Sequence, residues 1–172
     1  MLSQLADKID NLNDFIGRAV SWLMLGMTLI ILAVIFFSAF FRLGWVWFSE
    51  LALYMHAVLF TAGAAYALRH DAHVRIDIFY SRLSPIGCAW VNFFGTLILL
   101  IPSCVAVLFF SRSYVLASWA VLEHSAEGQG LPAVFLLKTM ILIMPTLLIL
   151  QGLSILIKAL AVIRDNNILT DD

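Results

Sequence analysis

The chain has 172 residues, of which 63% are hydrophobic and only 12% charged, and its mean hydropathy is +1.00. Soluble globular domains carry about 25% charged residues, so this composition excludes an ordinary soluble fold. A formal net charge of -1 leaves no basic field for a nucleic-acid partner.

The charges cluster between long uncharged runs at 19–41, 51–68, 83–111 and 139–157. Each reaches or approaches the ~20 residues that a helix needs to cross ~30 Å of hydrocarbon. The expected fold class is therefore all-α: a polytopic membrane protein with four transmembrane helices. The spans are placed at about 17–41, 47–68, 85–111 and 133–160 of a single membrane domain, 1–172.

Before the first span, Leu2, Leu5, Ile9, Leu12 and Ile16 recur at helical spacing, with Gln4, Asp7, Lys8, Asn11 and Asp14 on other faces. The pattern predicts an N-terminal amphipathic interfacial helix on the lipid bilayer, with contact to a partner as the alternative. The acids Asp7, Asp10 and Asp14 and the lack of a small-residue cleavage site argue against a cleavable signal peptide. Phe40, Phe41, Arg42, Trp45 and Trp47 mark a membrane interface at the far end of span one, and Gly44 is expected to let the chain turn.

Span two opens near Glu50. Its acid is read either as a favourable charge at a helix N-terminus, as one half of an ion pair, or as a proton or cation carrier. His56 is the one ionisable side chain deep in a span. Ala52, His56, Gly63 and Ala67 share a face, which predicts a small-residue helix-packing seam with His56 bonding across it. The turn after span two carries Arg69, His70, Asp71, His73, Arg75 and Asp77. Their spacing matches no closed zinc site, so ion pairs among Arg69, His73, Arg75 and Asp77 are expected to fix the turn, and no metal is assigned. Ile76, Phe79, Tyr80 and Leu83 form a one-sided stripe, a short interfacial helix between spans two and three.

Ser84 and Pro85 read as N-cap and first helical residue of span three, and Pro102 should kink it. Cys88 and Cys104 stand four to five turns apart on this helix, too far to bridge. Residues 112–132 read as a helix end or a surface helix, broken at Gly128-Gln129-Gly130 before Pro132 opens span four. Lys138 reads as snorkelling to the interface or pairing with a partner, and Gln151 and Ser154 as interhelical hydrogen-bonding groups.

Counting basic residues orients the chain. Lys8, Arg18, Arg69, Arg75, Arg82, Lys158 and Arg164 fall on one side, and Arg42, Arg112 and Lys138 on the other. The positive-inside rule puts both termini in the cytoplasm. No nucleophile–base pair, phosphate-cradling glycine loop or carboxylate pair stands out, so neither an enzyme nor a bound cofactor is expected. The chain reads as a partner subunit.

The block Glu50-Leu51, Gly63-Ala64-Ala65-Tyr66-Ala67-Leu68, His73-Val74-Arg75-Ile76-Asp77 and Tyr80-Ser81-Arg82-Leu83-Ser84-Pro85 resembles the DctQ-like small membrane subunit of tripartite ATP-independent periplasmic (TRAP) transporters. Ala89-Trp90, Gly95-Thr96-Leu97, Ser118-Trp119, Gly130-Leu131-Pro132, Lys138, Pro145 and Gln151-Gly152-Leu153-Ser154 extend the likeness. Where many members carry a Glu pair and a following Arg, this chain has Ser49-Glu50 and Leu53, so an Arg-mediated pair within that helix is absent.

The resemblance implies a complex in the bacterial inner membrane. A large DctM-like subunit would bind solute and sodium and move as an elevator, and a periplasmic DctP-like binding protein would deliver an organic acid or similar small solute. This chain would be the scaffold beside the large subunit. Glu50, Lys138 and Gln151 are the subunit-contact candidates, and Glu123, His124 and Glu127 the candidates for docking the periplasmic protein. The rival readings are a stand-alone four-span exporter, which needs an embedded carboxylate that spans one, three and four lack, and a haem or redox anchor, which needs more than one deep histidine.

Overall fold

The structure, a computed structural model, describes residues 2–70 and 83–170, with side chains through residue 165. Every regular element among them is helical. Helix α1 runs Leu2–Phe41, α2 Val46–Arg69 and α3 Pro85–Phe94. A π-helical segment, Gly95–Leu100, joins α3 to α4, Ile101–Ala120, and α5 runs Val134–Thr170. Four helices are long and apolar enough to cross a membrane, Leu2–Phe41, Val46–Arg69, Pro85–Ala120 and Val134–Asp165, so the fold class expected from composition holds. The short interfacial helix expected near 76–83 falls largely outside the described residues.

Helix α5 is the hub. It packs on α1, α2, α3 and α4, while α1 packs mainly on α2. The buried residues are small: Ala62, Ala65 and Cys104 meet Leu147 and Leu148 in one cluster, and Ala89 meets Ala159 and Ile163 in another. Large side chains such as Trp22, Phe40, Phe60, Leu99 and Phe110 point outward. In lipid no hydrophobic force drives helices together, so small residues sit where backbones approach and bulky ones face the acyl chains. Gly17 shows why. A Cβ there would lie 2.3 Å from Cγ of Tyr66, and one at Gly26 would lie 2.6 Å from Cε of Met55.

Local expectations fare unevenly. Ser84 caps α3 as its sequence requires, its Oγ accepting from the Gly87 N–H at 3.2 Å, with Pro85 at the first position. Pro102 lies two residues beyond the π-helical segment, after Ile101. The wider turn accommodates a residue that cannot donate to the helix ladder, and the Ser103 hydroxyl donates to the carbonyls of Leu99, 2.6 Å, and Leu100, 2.9 Å. The turn after α1 is not made by Gly44. Arg42 takes the left-handed conformation at φ 53°, and the N–H groups of Arg42 and Leu43 donate to the last carbonyls of α1, those of Ser38 and Phe37. Leu122, at φ 44°, does the same job after α4.

The larger difference lies at the N-terminus. Residues 2–16 continue into span one as one helix, and the side that faces inward carries Asp10 and Asn13, while Gln4, Asp7, Lys8 and Asn11 are exposed. Ala6, Asp10, Asn13 and Gly17 are buried, whereas Leu2, Leu5 and Leu12 are exposed. The buried set recurs at i, i+4, i+7 and i+11, a single helical face, and α5 presents polar partners opposite it.

Candidate functional site: two polar clasps

The polar residues of this apolar chain gather at its two ends. At the first end Asp10 is the centre. Its Oδ1 accepts from the Ser154 hydroxyl at 2.6 Å and from Nε2 of Gln151 at 3.0 Å, and Oδ2 pairs with Lys158 Nζ. The Arg69 guanidinium, at the last turn of α2, stands 3.8 Å from Oδ2 and donates to the Asp10 carbonyl. One carboxylate therefore joins α1, α2 and α5.

Neighbouring groups complete this clasp. Asn13 Nδ2 donates to Gln151 Oε1 at 2.8 Å. Asp14 binds Arg69 at 2.5 Å and His70 Nε2 at 2.9 Å, with Arg18 at 3.6 Å. Arg69 and His70 follow the last turn of α2, where unpaired carbonyls and the helix dipole favour positive charge. A cavity of about 430 Å³ opens beside the clasp, lined in part by Asp10, Arg69, Asn92, Gln151, Ser154 and Lys158.

At the other end Glu50 ties α2 to the loop between α4 and α5. Its Oε1 accepts from the Ser125 hydroxyl and Oε2 from the Leu131 N–H at 2.6 Å. Ser125 N–H donates to the Leu131 carbonyl at 3.2 Å, and the Gly130 N–H to the Glu127 carbonyl at 2.9 Å. Gly130 is required by space: a Cβ would lie 2.2 Å from Ser125 Oγ and 2.7 Å from Glu50 Oε1. One turn away Lys138 pairs with Glu123 and lies 4.1 Å from the Tyr114 ring centre. Trp119 Nε1 donates to Thr139 Oγ1 at 2.9 Å. The Lys138 ammonium holds the Glu123 carboxyl below its ordinary range.

These placements revise several sequence expectations. Gln151 is 2% exposed and both ends of its amide are taken by α1, so its hydrogen bonds are made within the chain. Glu50 and Lys138 likewise have partners within the chain, on the loop and helices they pack against. The seam is not a contact between helices of this chain: Ala52 is buried, but His56 is exposed, and nothing lies within 4 Å of a Cβ built on Gly63. The side of α2 that meets its neighbours carries Ala62 and Ala65. His124 and Glu127 are exposed on the loop after α4, and Glu123 beside them is half-buried against Lys138. Arg69 turns to α1, while His73, Arg75 and Asp77 lie outside the described residues.

The missed residue is Asp10. In the sequence it stood only as one of three N-terminal acids. Its signal was a repeat of small and polar residues, Ala6-Asp10-Asn13-Gly17, matched by Gln151, Ser154 and Lys158 at i, i+3 and i+7.

Both clasps are closed, among the described residues, by groups of this chain. Among the described residues no three His, Cys, Asp or Glu side chains cluster to hold a metal. The arrangement ties helices together at both ends and leaves the centre apolar. The family model for the DctQ component of tripartite ATP-independent periplasmic transporters matches residues 27–163. The chain belongs to this family. No curated protein and no solved structure matches it. A DctQ chain is one component of a transporter, which fits a protein without a catalytic centre. The matched stretch includes Glu50, Arg69, Lys138, Gln151, Ser154 and Lys158 but begins after Asp10, Asn13 and Asp14.

Proposed function

We propose that this DctQ chain is the immobile scaffold of a TRAP transporter in the bacterial inner membrane, with both termini in the cytoplasm. A DctM-like large subunit carries the solute, an organic acid or similar small molecule, coupled to sodium, and a DctP-like periplasmic protein delivers it. The observation that carries this reading is where the charge lies. Intramembrane ionisable groups mark ion and substrate pathways, and among the described residues the ion pairs form two groups, one around Asp10 and Asp14 and one at Glu123, each closed within the chain. Coupling chemistry must then belong to another subunit.

Two further points support the orientation and the partners. The Asp10 clasp gathers Arg18, Arg69 and Lys158, the side that the positive-inside rule assigns to the cytoplasm. The opposite loop exposes His124 and Glu127, where a periplasmic protein would arrive. The test is reconstitution of this chain with its large subunit in proteoliposomes, with the binding protein outside. Uptake should require all three proteins and an inward sodium gradient. Uptake by the large subunit and binding protein alone at the full rate would refute the scaffold role.

A further inference from the structure

Two grooves run along the flank between α1 and α2. One, about 460 Å³, is lined by Met27, Val34, Ala52 and His56 among others. The second, about 580 Å³, is lined by Val20, Phe60, Gly63 and Ala67 among others. The helices are antiparallel, with Gly17 against Tyr66 and Gly26 against Met55, so Val20 is level with Gly63 and Met27 with His56. The two grooves therefore lie end to end on one flank, a trough with the length of a transmembrane helix.

His56 stands near the midpoint of α2, exposed. Its ring stacks on Phe60 with centroids 6.5 Å apart, and among the described residues nothing hydrogen-bonds to it. An imidazole at that depth faces hydrocarbon unless a protein covers it, and acyl chains offer it no acceptor. Gly63 adds an independent sign, because its missing side chain serves no contact within this chain. A close backbone from outside would use the space.

We propose that this flank seats one transmembrane helix of the large subunit, which presents a hydrogen-bond acceptor to His56 and packs on Gly63. The proposal rests on the TRAP reading above. A second copy of this chain fits less well. In a two-fold pair with its axis at His56 the two neutral imidazoles share one N–H···N bond and leave the other N–H unmet.

The test places a benzoylphenylalanine photo-crosslinker at Leu53 or Phe60 on this flank, and at Phe110 on α4 as control, in the chain coexpressed with its large subunit. All three positions are exposed. Illumination should give an adduct of the large subunit's mass from 53 and 60 and none from 110. Separately, Gly63→Leu should lower the yield of copurified large subunit about tenfold, and His56→Leu about threefold. Both variants should leave thermal unfolding of the isolated small subunit unchanged. A self-adduct from 53 or 60, an equal adduct from 110, or full complex yield in both variants overturns the proposal while the TRAP reading stands. If the wild-type chain copurifies no large subunit, both fall together.

Discussion

At the scale of single residues, Asp10 outweighs every other polar group among the described residues. It is 4% exposed and accepts from three side chains, with a second cation alongside. Removing one member of a buried ionic cluster costs about 3–5 kcal/mol, because the groups left behind remain desolvated. Lys158 differs: its side chain is 54% exposed and reaches water without its partner, so its pair is nearer the ~1 kcal/mol of a surface bridge. Asp10→Ala should therefore destabilise the detergent-solubilised protein by about 3 kcal/mol and Lys158→Ala by about 1 kcal/mol, read from thermal unfolding. Equal losses would show that the clasp is a simple surface bridge. Leu122 is a smaller case. A non-glycine residue at φ 44° carries a steric cost of roughly 1 kcal/mol that glycine lacks, so Leu122→Gly should raise the unfolding temperature slightly despite its added chain entropy.

At the scale of elements, the sequence disclosed length and polarity well and facing poorly. Uncharged runs of membrane length fall within the four helices long and apolar enough to cross a membrane, and Ser84-Pro85 located the start of α3, because these features act within one helix. Which side of a helix turns inward depends on its neighbours. Apolar side chains at Leu2, Leu5 and Leu12 pointed toward a membrane-surface helix, yet lipid accepts them as readily as a core does, so in a membrane protein they carry little information about the inside. The informative residues were small and polar, Ala6 to Gly17 and Gln151 to Lys158, and each set has meaning only opposite the other. Glu50 shows the same dependence. Its position at the head of α2 was legible, but its bond to Leu131, 81 positions away in sequence, was not. Glu50→Gln should loosen the loop from 123 to 132. A carboxylate that accepts two hydrogen bonds becomes an amide with one acceptor, at a cost of about 2 kcal/mol. Limited proteolysis in that loop should be faster in the variant than in the wild type, and equal rates would contradict the clasp.

At the scale of the whole molecule, four helices are stitched at their ends and greased along their length. The clasp at the loop between α4 and α5 responds to pH. Glu123 is held below its ordinary range by Lys138, so the pair's contribution is complete above the unfolded value of about 4.3. It is lost as pH falls further, through the folded value. Mild acidification between pH 7 and 5 should leave this clasp intact. Below about pH 4 the wild-type unfolding temperature should fall toward that of Glu123→Gln, and acid limbs that run parallel throughout would show that the pair carries no linkage.

The bond from Asp10 to Lys158 also sets a clock on biosynthesis. The two residues are 148 positions apart, and translation at 5–20 residues per second separates their synthesis by about 7–30 s. Throughout that interval the acid has no lysine. The first helix must therefore wait with its charged end in water, engaging only after the last span has entered the bilayer. A ribosome that stops before α5 leaves Asp10 with Arg69 beside it but without Gln151, Ser154 and Lys158, a mark by which unfinished copies differ from finished ones.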